Sequence, residues 1–130
     1  MNHEPDGSKG ALFYDTYALY AIAAGQQDYA RYAKGFRMVT TIMNLYELYY
    51  TLCKEGEREL AEAYFLRLQS CCAPIEPETI RSAAAFRLKN TKLKLSYIDC
   101  LGYATAQEQR IPFLTGDQAF HAMAGVKFVK

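Results

Sequence analysis

Residues 95–120 read LSYIDCLGYATAQEQRIPFLTGDQAF, and this stretch sets the fold class. Ser96 followed three positions later by Asp99 is the pattern of a capping box, so a helix is predicted over residues 96–110. Ile111-Pro112 ends it, because the residue before a proline is pushed out of the helical region. Residues 111–115 are apolar and read as a short strand, and Gly116-Asp117 turns the chain into a short helix over 117–123. Helix, strand, polar turn and helix in that order are one unit of an alternating α/β fold.

The same alternation extends outward. Residues 11–14 are a mostly apolar run ending at Asp15, and 16–24 read as a helix closed by Gly25. A second short helix is predicted over 26–34, a strand over 36–40 and a long helix over 41–55. In that helix Ile42, Leu45, Tyr46, Tyr49, Leu52 and Cys53 recur at three- and four-residue spacing and mark a buried face. Residues 57–69 are amphipathic, with Leu60, Ala61, Tyr64 and Leu68 on one side. A short strand over 72–75, punctuated by Pro74 and Pro77, precedes a helix over 78–89, and 126–129 read as the last strand. The expected architecture has three layers, with a central, mostly parallel sheet of about five short strands flanked by helices.

Composition bounds the function classes. The chain has 130 residues, 51% of them hydrophobic and 22% charged, the balance of an ordinary globular protein. No apolar run approaches the ~18 residues of a membrane span, so no membrane role is expected. Residues 1–10 are polar and read as a flexible lead rather than a signal peptide, leaving a single domain over 11–130. Cys53, Cys71, Cys72 and Cys100 show neither a CxxC pair nor zinc-ligand spacing, which favours reduced thiols and a cytoplasmic setting. A net charge of +1 neither demands nor excludes a nucleic-acid partner.

Four carboxylates stand apart from the solvated ones of Glu55, Glu57, Glu59 and Glu62. Asp15 and Asp117 each follow an apolar strand where the chain turns into a helix. Read singly, each is also a helix N-cap. In a parallel α/β sheet, however, the carboxyl ends of the strands share one edge, where ligand sites form. Asp99 fits both a capping box and an ionised site carboxylate. Glu47 lies in Ile42-Met-Asn-Leu-Tyr-Glu-Leu-Tyr-Tyr-Thr-Leu52, with no Lys or Arg three or four residues away. A carboxylate in apolar company needs a metal, or a partner from elsewhere in the chain. Clustered carboxylates repel one another unless a cation neutralises them, and oxygen-only ligands suit Mg²⁺ and Mn²⁺. Residue chemistry alone therefore points toward a Mg²⁺- or Mn²⁺-dependent phosphodiesterase.

Residues 95–120 resemble the signature of PIN domains, most of all those of VapC-type toxins in prokaryotic toxin–antitoxin pairs. The family's Ser-x-x-Asp helix start is matched by Ser96 to Asp99, and its Thr-x-Asp after an apolar strand by Thr115 to Asp117. Its aspartate at the end of the first strand is matched by Phe13-Tyr14-Asp15-Thr16, and its helical glutamate by Asn44-Leu-Tyr-Glu47-Leu. The resemblance runs in order from about Leu12 to Val129. It implies a PIN fold, a metal-dependent endoribonuclease leaving a 5′-phosphate, an antitoxin partner and a homodimer. Asp15, Glu47 and Asp99 would then supply the main carboxylates around one or two Mg²⁺ or Mn²⁺ ions, with Asp117 completing the site directly or through water.

Three neighbours are expected to support that site. Thr16 and Thr115 carry hydroxyls beside the carboxylates, although a local cap or turn bond explains either as well, and Asn44 lies one turn before Glu47. Arg81, Arg87, Lys89, Lys92 and Lys94 lie in a segment without Asp or Glu and are candidates for the RNA backbone, or a solvated face. Most of the eleven tyrosines, including Tyr20, Tyr46 and Tyr49, are assigned to packing. His3 and His121 lack a partner motif and are not promoted. The alternatives are a housekeeping RNA-processing PIN nuclease and a non-catalytic module that binds RNA or protein.

Overall fold

Residues 8–130 are described by the structure, a computed structural model of the chain. Four short strands form one parallel sheet: β1 (Ala11–Tyr14), β2 (Arg37–Val39), β3 (Phe113–Thr115) and β4 (Val126–Phe128). Their order across the sheet is β2-β1-β3-β4. Phe13 pairs with both Val39 and Phe113, and Leu114 with Lys127. The chain leaves β1 toward β2 on one side and returns to place β3 on the other. The junction between β1 and β3 is thus the switch point of the sheet, the position at which open α/β folds place their ligand sites.

Five helices cover the sheet: α1 (Thr16–Ala23), α2 (Ile42–Lys54), α3 (Arg58–Leu68), α4 (Pro77–Lys89) and α5 (Tyr97–Gln109). Alternation along the strands sorts them into two layers. Leu12, Tyr14 and Leu114 point into a core shared with α1, α2 and α3, closed by Tyr29 and Tyr32. Phe13, Val39 and Phe113 point the other way, into a core built with α4, α5 and Phe120. The rings of Phe13 and Phe113 stack at 5.5 Å. Gly102 of α5 sits directly on them, for a methyl there would meet the Phe13 ring at 3.0 Å.

The expected α/β layers hold, with three corrections. The sheet has four strands rather than about five. Residues 72–75 form only one bridge, Cys72 beside Thr40, flanked by Thr40 N–H to Cys71 O and Ala73 N–H to Thr40 O. The segment it pairs with turns into α2 at Ile42, with Thr41 as its N-cap, so no strand remains beyond Thr40 for residues 73–75 to pair with. The buried face of α2 is also turned from the expected one. Asn44, Leu45, Leu48 and Leu52 are buried, whereas Ile42 and Tyr46 are exposed, Tyr46 at 65%. Hydrogen bonds described below satisfy the Asn44 amide, which lets a polar residue take the inner position. Residues 26–34 form a 3₁₀ segment, Gln27–Tyr32, and residues 117–123 only one turn, Gln118–Phe120.

Most of the lead over residues 1–10, His3 included, lies outside the described residues. Within residues 8–10, the Lys9 N–H donates to Gly35 O at 2.8 Å. The four cysteines are free thiols, Cys100 buried and the others half-buried. Among the described residues, no helix is long and apolar enough to cross a membrane.

Candidate active site

Asp15 and Asp117 follow the neighbouring strands β1 and β3, so residues a hundred positions apart in sequence come to the same edge of the sheet. Asp15 is the N-cap of α1: its backbone is extended and its Oδ1 accepts the Ala18 N–H at 2.9 Å. Asp117 caps the turn after β3, accepting the Ala119 N–H at 3.0 Å, while its own N–H donates to Thr115 Oγ1 at 3.0 Å. Asp99 closes the capping box of α5, with Ser96 N–H donating to Oδ2 at 2.9 Å and Asp99 N–H to Ser96 Oγ at 3.0 Å. The capping readings of all three aspartates are therefore correct. A cap uses one carboxylate oxygen and leaves lone pairs on the other, so it does not exclude a second role.

Electrostatics join these three. Asp15 is only 4% exposed, and its carboxyl is pushed up from 3.8 to about 7. Burial is the largest cause, and the charges of Asp99 and Asp117 add to it. Hydrogen bonds from the Thr115 hydroxyl and the Ala18 N–H act in the opposite direction. Asp99 is also raised, first by burial and then by Asp117, against its bonds from Ser96. Asp15 and Asp99 thus hold their protons more tightly because of burial, and the Asp117 charge adds to both.

Glu47 is linked to the residue after Asp15, not to the three aspartates themselves. It is half-buried on α2, and Thr16, the residue after Asp15, donates its hydroxyl to Glu47 Oε1 at 2.6 Å. Asn44 was expected to hold Glu47 from one turn away, but its hydrogen bonds go to Thr16 and Thr41 instead. Its Nδ2 donates to Thr16 Oγ1 at 3.1 Å, and its Oδ1 accepts the Thr41 hydroxyl at 2.6 Å. Thr41, 0% exposed and N-cap of α2, was not singled out from sequence. Its signal was there: a threonine directly before an apolar-periodic helix.

The donor set is oxygen throughout, buried at Asp15 and crowded with like charge, which fits a hard divalent cation by its chemistry. Among the described residues, no group of three or more His, Cys, Asp or Glu side chains is close enough to enclose a metal ion. An ion here would take one or two carboxylates and keep water in its remaining positions, as Mg²⁺ commonly does.

The cations divide. Arg81 pairs with Glu78 at 3.1 Å on an exposed helix face. Arg87 donates from Nε to Leu95 O at 3.0 Å and lies 4.1 Å from the Tyr97 ring centre, so it clips α4 to the start of α5. Lys89, Lys92 and Lys94 are exposed.

A family model described as PIN domain matches residues 12–126. No curated protein sequence matches the chain. Among solved structures it is similar to the Mycobacterium tuberculosis toxin VapC20, described as cleaving the sarcin-ricin loop. The TM-score is 0.75 at 19% identity, over 92% of this chain and 99% of that one. It is also similar to a chain of a Klebsiella pneumoniae toxin–antitoxin complex, with TM-score 0.71 and 19% identity over 89% of this chain and 95% of that one. A third is from Rickettsia felis VapBC2 bound to a DNA fragment from their promoter, with TM-score 0.68 and 15% identity over 92% and 97% of the two chains.

Proposed function

The chain belongs to the PIN-domain family, and from that premise we propose that it is a Mg²⁺- or Mn²⁺-dependent endoribonuclease, the toxin of a toxin–antitoxin pair. The observation that carries this reading is the burial of Asp15 beside the charges of Asp99 and Asp117 at the switch point of the sheet. Such an arrangement is costly without a cation and useful with one. The toxin branch is favoured by likeness in fold to solved toxin and toxin–antitoxin structures. The same reading carries an RNA substrate, a cognate antitoxin, a homodimer and a cytoplasmic setting.

Asp15, Asp99 and Glu47 would hold the ion, one or two of them directly and the rest through its waters, with Asp117 completing the site directly or through water. Bound there, a divalent cation supplies Lewis-acid stabilisation of charge at the phosphorus and makes water a stronger nucleophile. Asp15 must give up its proton to take part, and the Thr115 hydroxyl lowers the cost of that loss. Capping bonds hold Asp15, Asp99 and Asp117 in single orientations, so the carboxylates need not be ordered when RNA arrives. Lys89, Lys92 and Lys94 would meet the RNA backbone outside the acidic centre.

The test is cleavage of total cellular RNA with Mg²⁺ or Mn²⁺, against EDTA and against Asp99→Asn, with the cut sites mapped. Asn at 99 retains a side-chain oxygen for the capping box, so the variant should fold. Metal-dependent cutting that falls at least about a hundredfold in the variant is expected. Equal cutting by both proteins would overturn the proposed site. No cutting of any RNA would leave a binding module.

A further inference from the structure

The bonds that end on Glu47 have a fixed direction, and it can be read from one end. A carboxylate accepts hydrogen bonds and donates none, so the 2.6 Å contact between Thr16 and Glu47 uses the single hydroxyl proton of Thr16. Thr16 Oγ1 must then accept from its other neighbour, which identifies the Asn44 atom at 3.1 Å as the amide nitrogen. The Asn44 oxygen is thereby left facing Thr41, whose hydroxyl has to donate to it at 2.6 Å. Thr41 Oγ1 in turn accepts the Asn44 N–H at 3.2 Å, the cap of α2. No member has an alternative donor arrangement while Glu47 is a carboxylate. Thr41 and Asn44 are buried, at 0% and 2% exposure, so water does not compete for these groups.

We propose that Thr41 and Asn44 are positioning residues: through this one-way chain they commit the Thr16 hydroxyl proton to Glu47 Oε1 and so hold the Glu47 carboxylate at the start of α1, one residue along the chain from Asp15. Two consequences follow. Thr16 is not a phosphate donor, since its only proton is committed and its oxygen already accepts from Asn44. Glu47 Oε2 is the oxygen left for a cation or for water. The chain also joins the two elements involved, since Thr16 opens α1 and the other three residues belong to the start of α2.

The proposal rests on the nuclease reading only in its kinetic arm, so the experiment has a second arm that needs no activity. In that arm the Asn44 side-chain amide is observed by ¹H–¹⁵N NMR in metal-free protein. Slow exchange with solvent is expected, collapsing in Thr16→Val and Thr41→Val and restored in Thr41→Ser. In the kinetic arm, Asn44→Asp and Thr41→Val are expected to lower kcat on RNA at least about tenfold with KM within about twofold, while Thr41→Ser restores it. Asn44→Asp is the near-isosteric variant, so it keeps the test readable if Thr41→Val melts, and its fold is checked by circular dichroism. Fast amide exchange in the wild type, or unchanged kcat in a folded Asn44→Asp, would overturn the proposal. A wild type that cleaves no RNA but shows the protected amide would sink the nuclease reading and leave the chain of bonds standing.

Discussion

The Thr115 hydroxyl lowers the proton affinity that burial raises in the Asp15 carboxyl, linking the last residue of β3 to the residue that follows β1. In Thr115→Val the Asp15 carboxyl should therefore climb further, and the acid limb of the pH–rate profile should move to higher pH. Cleavage should fall several-fold at about pH 7 and recover at about pH 9. Thr115→Ser should keep the wild-type profile.

Asp15 also sets how stability depends on pH. Its carboxyl titrates at about 7 when folded, against an ordinary 3.8. Between those values the folded state holds more protons than the unfolded chain, so the metal-free protein loses stability as pH rises through that window. Asp15→Asn, which keeps an N-cap residue, should raise the metal-free melting temperature at about pH 8 and leave it nearly unchanged at about pH 4.

A divalent cation should reverse that slope. Binding needs ionised carboxylates, so millimolar Mg²⁺ or Mn²⁺ should raise the melting temperature more at about pH 8 than at about pH 5. Asp15→Asn should abolish most of the gain. Differential scanning calorimetry with and without EDTA reads both effects, and a metal effect independent of pH would count against Asp15 as a ligand.

Gly116 separates Thr115 from Asp117 and has no room for a side chain. A methyl there would run into the Tyr17 ring and lie 2.5 Å from the Val129 carbonyl oxygen. Gly116→Ala should destabilise the fold by about 1–3 kcal/mol, measured by urea unfolding, and lower cleavage by displacing Asp117.

The cations should separate in the same kind of experiment. Replacing Lys89, Lys92 and Lys94 together by Gln should weaken RNA binding and reduce the slope of log affinity against log salt by about 2, as ~0.7 per lost phosphate contact predicts for single strands. Arg87→Gln should instead lower the melting temperature, because Leu95 O and the Tyr97 ring lose their partner.

The sequence made local events readable. Ser96 and Asp99 announced a capping box and the structure has it, and Asp15 and Asp117 stand at strand ends as expected. These are properties of a few adjacent residues. What could not be read depends on partners far along the chain. Nothing local says that β1 lies next to β3, which is the fact that brings Asp15 and Asp117 together. The face of α2 misled because Tyr46, at 65% exposure, and Ile42 look like core while Asn44 looks like surface. Only knowledge of Thr16 and Thr41 as partners reverses that reading. Arg87 and Lys89 look alike in sequence, and only the placement of Leu95 and Tyr97 makes the first a clip and leaves the second exposed.

The carboxylates come from opposite sides of the sheet: Glu47 from the layer containing α2, Asp99 from the layer containing α5, with Asp15 and Asp117 between them at the strand ends. The centre is in effect an alignment gauge for the two layers. A molecule that shifts either layer by about an ångström disarms it without touching a carboxylate, since catalytic geometry tolerates little displacement. Under the nuclease proposed above, an inhibitor would therefore have no need to compete with RNA, or to carry the negative charge that an acidic centre repels.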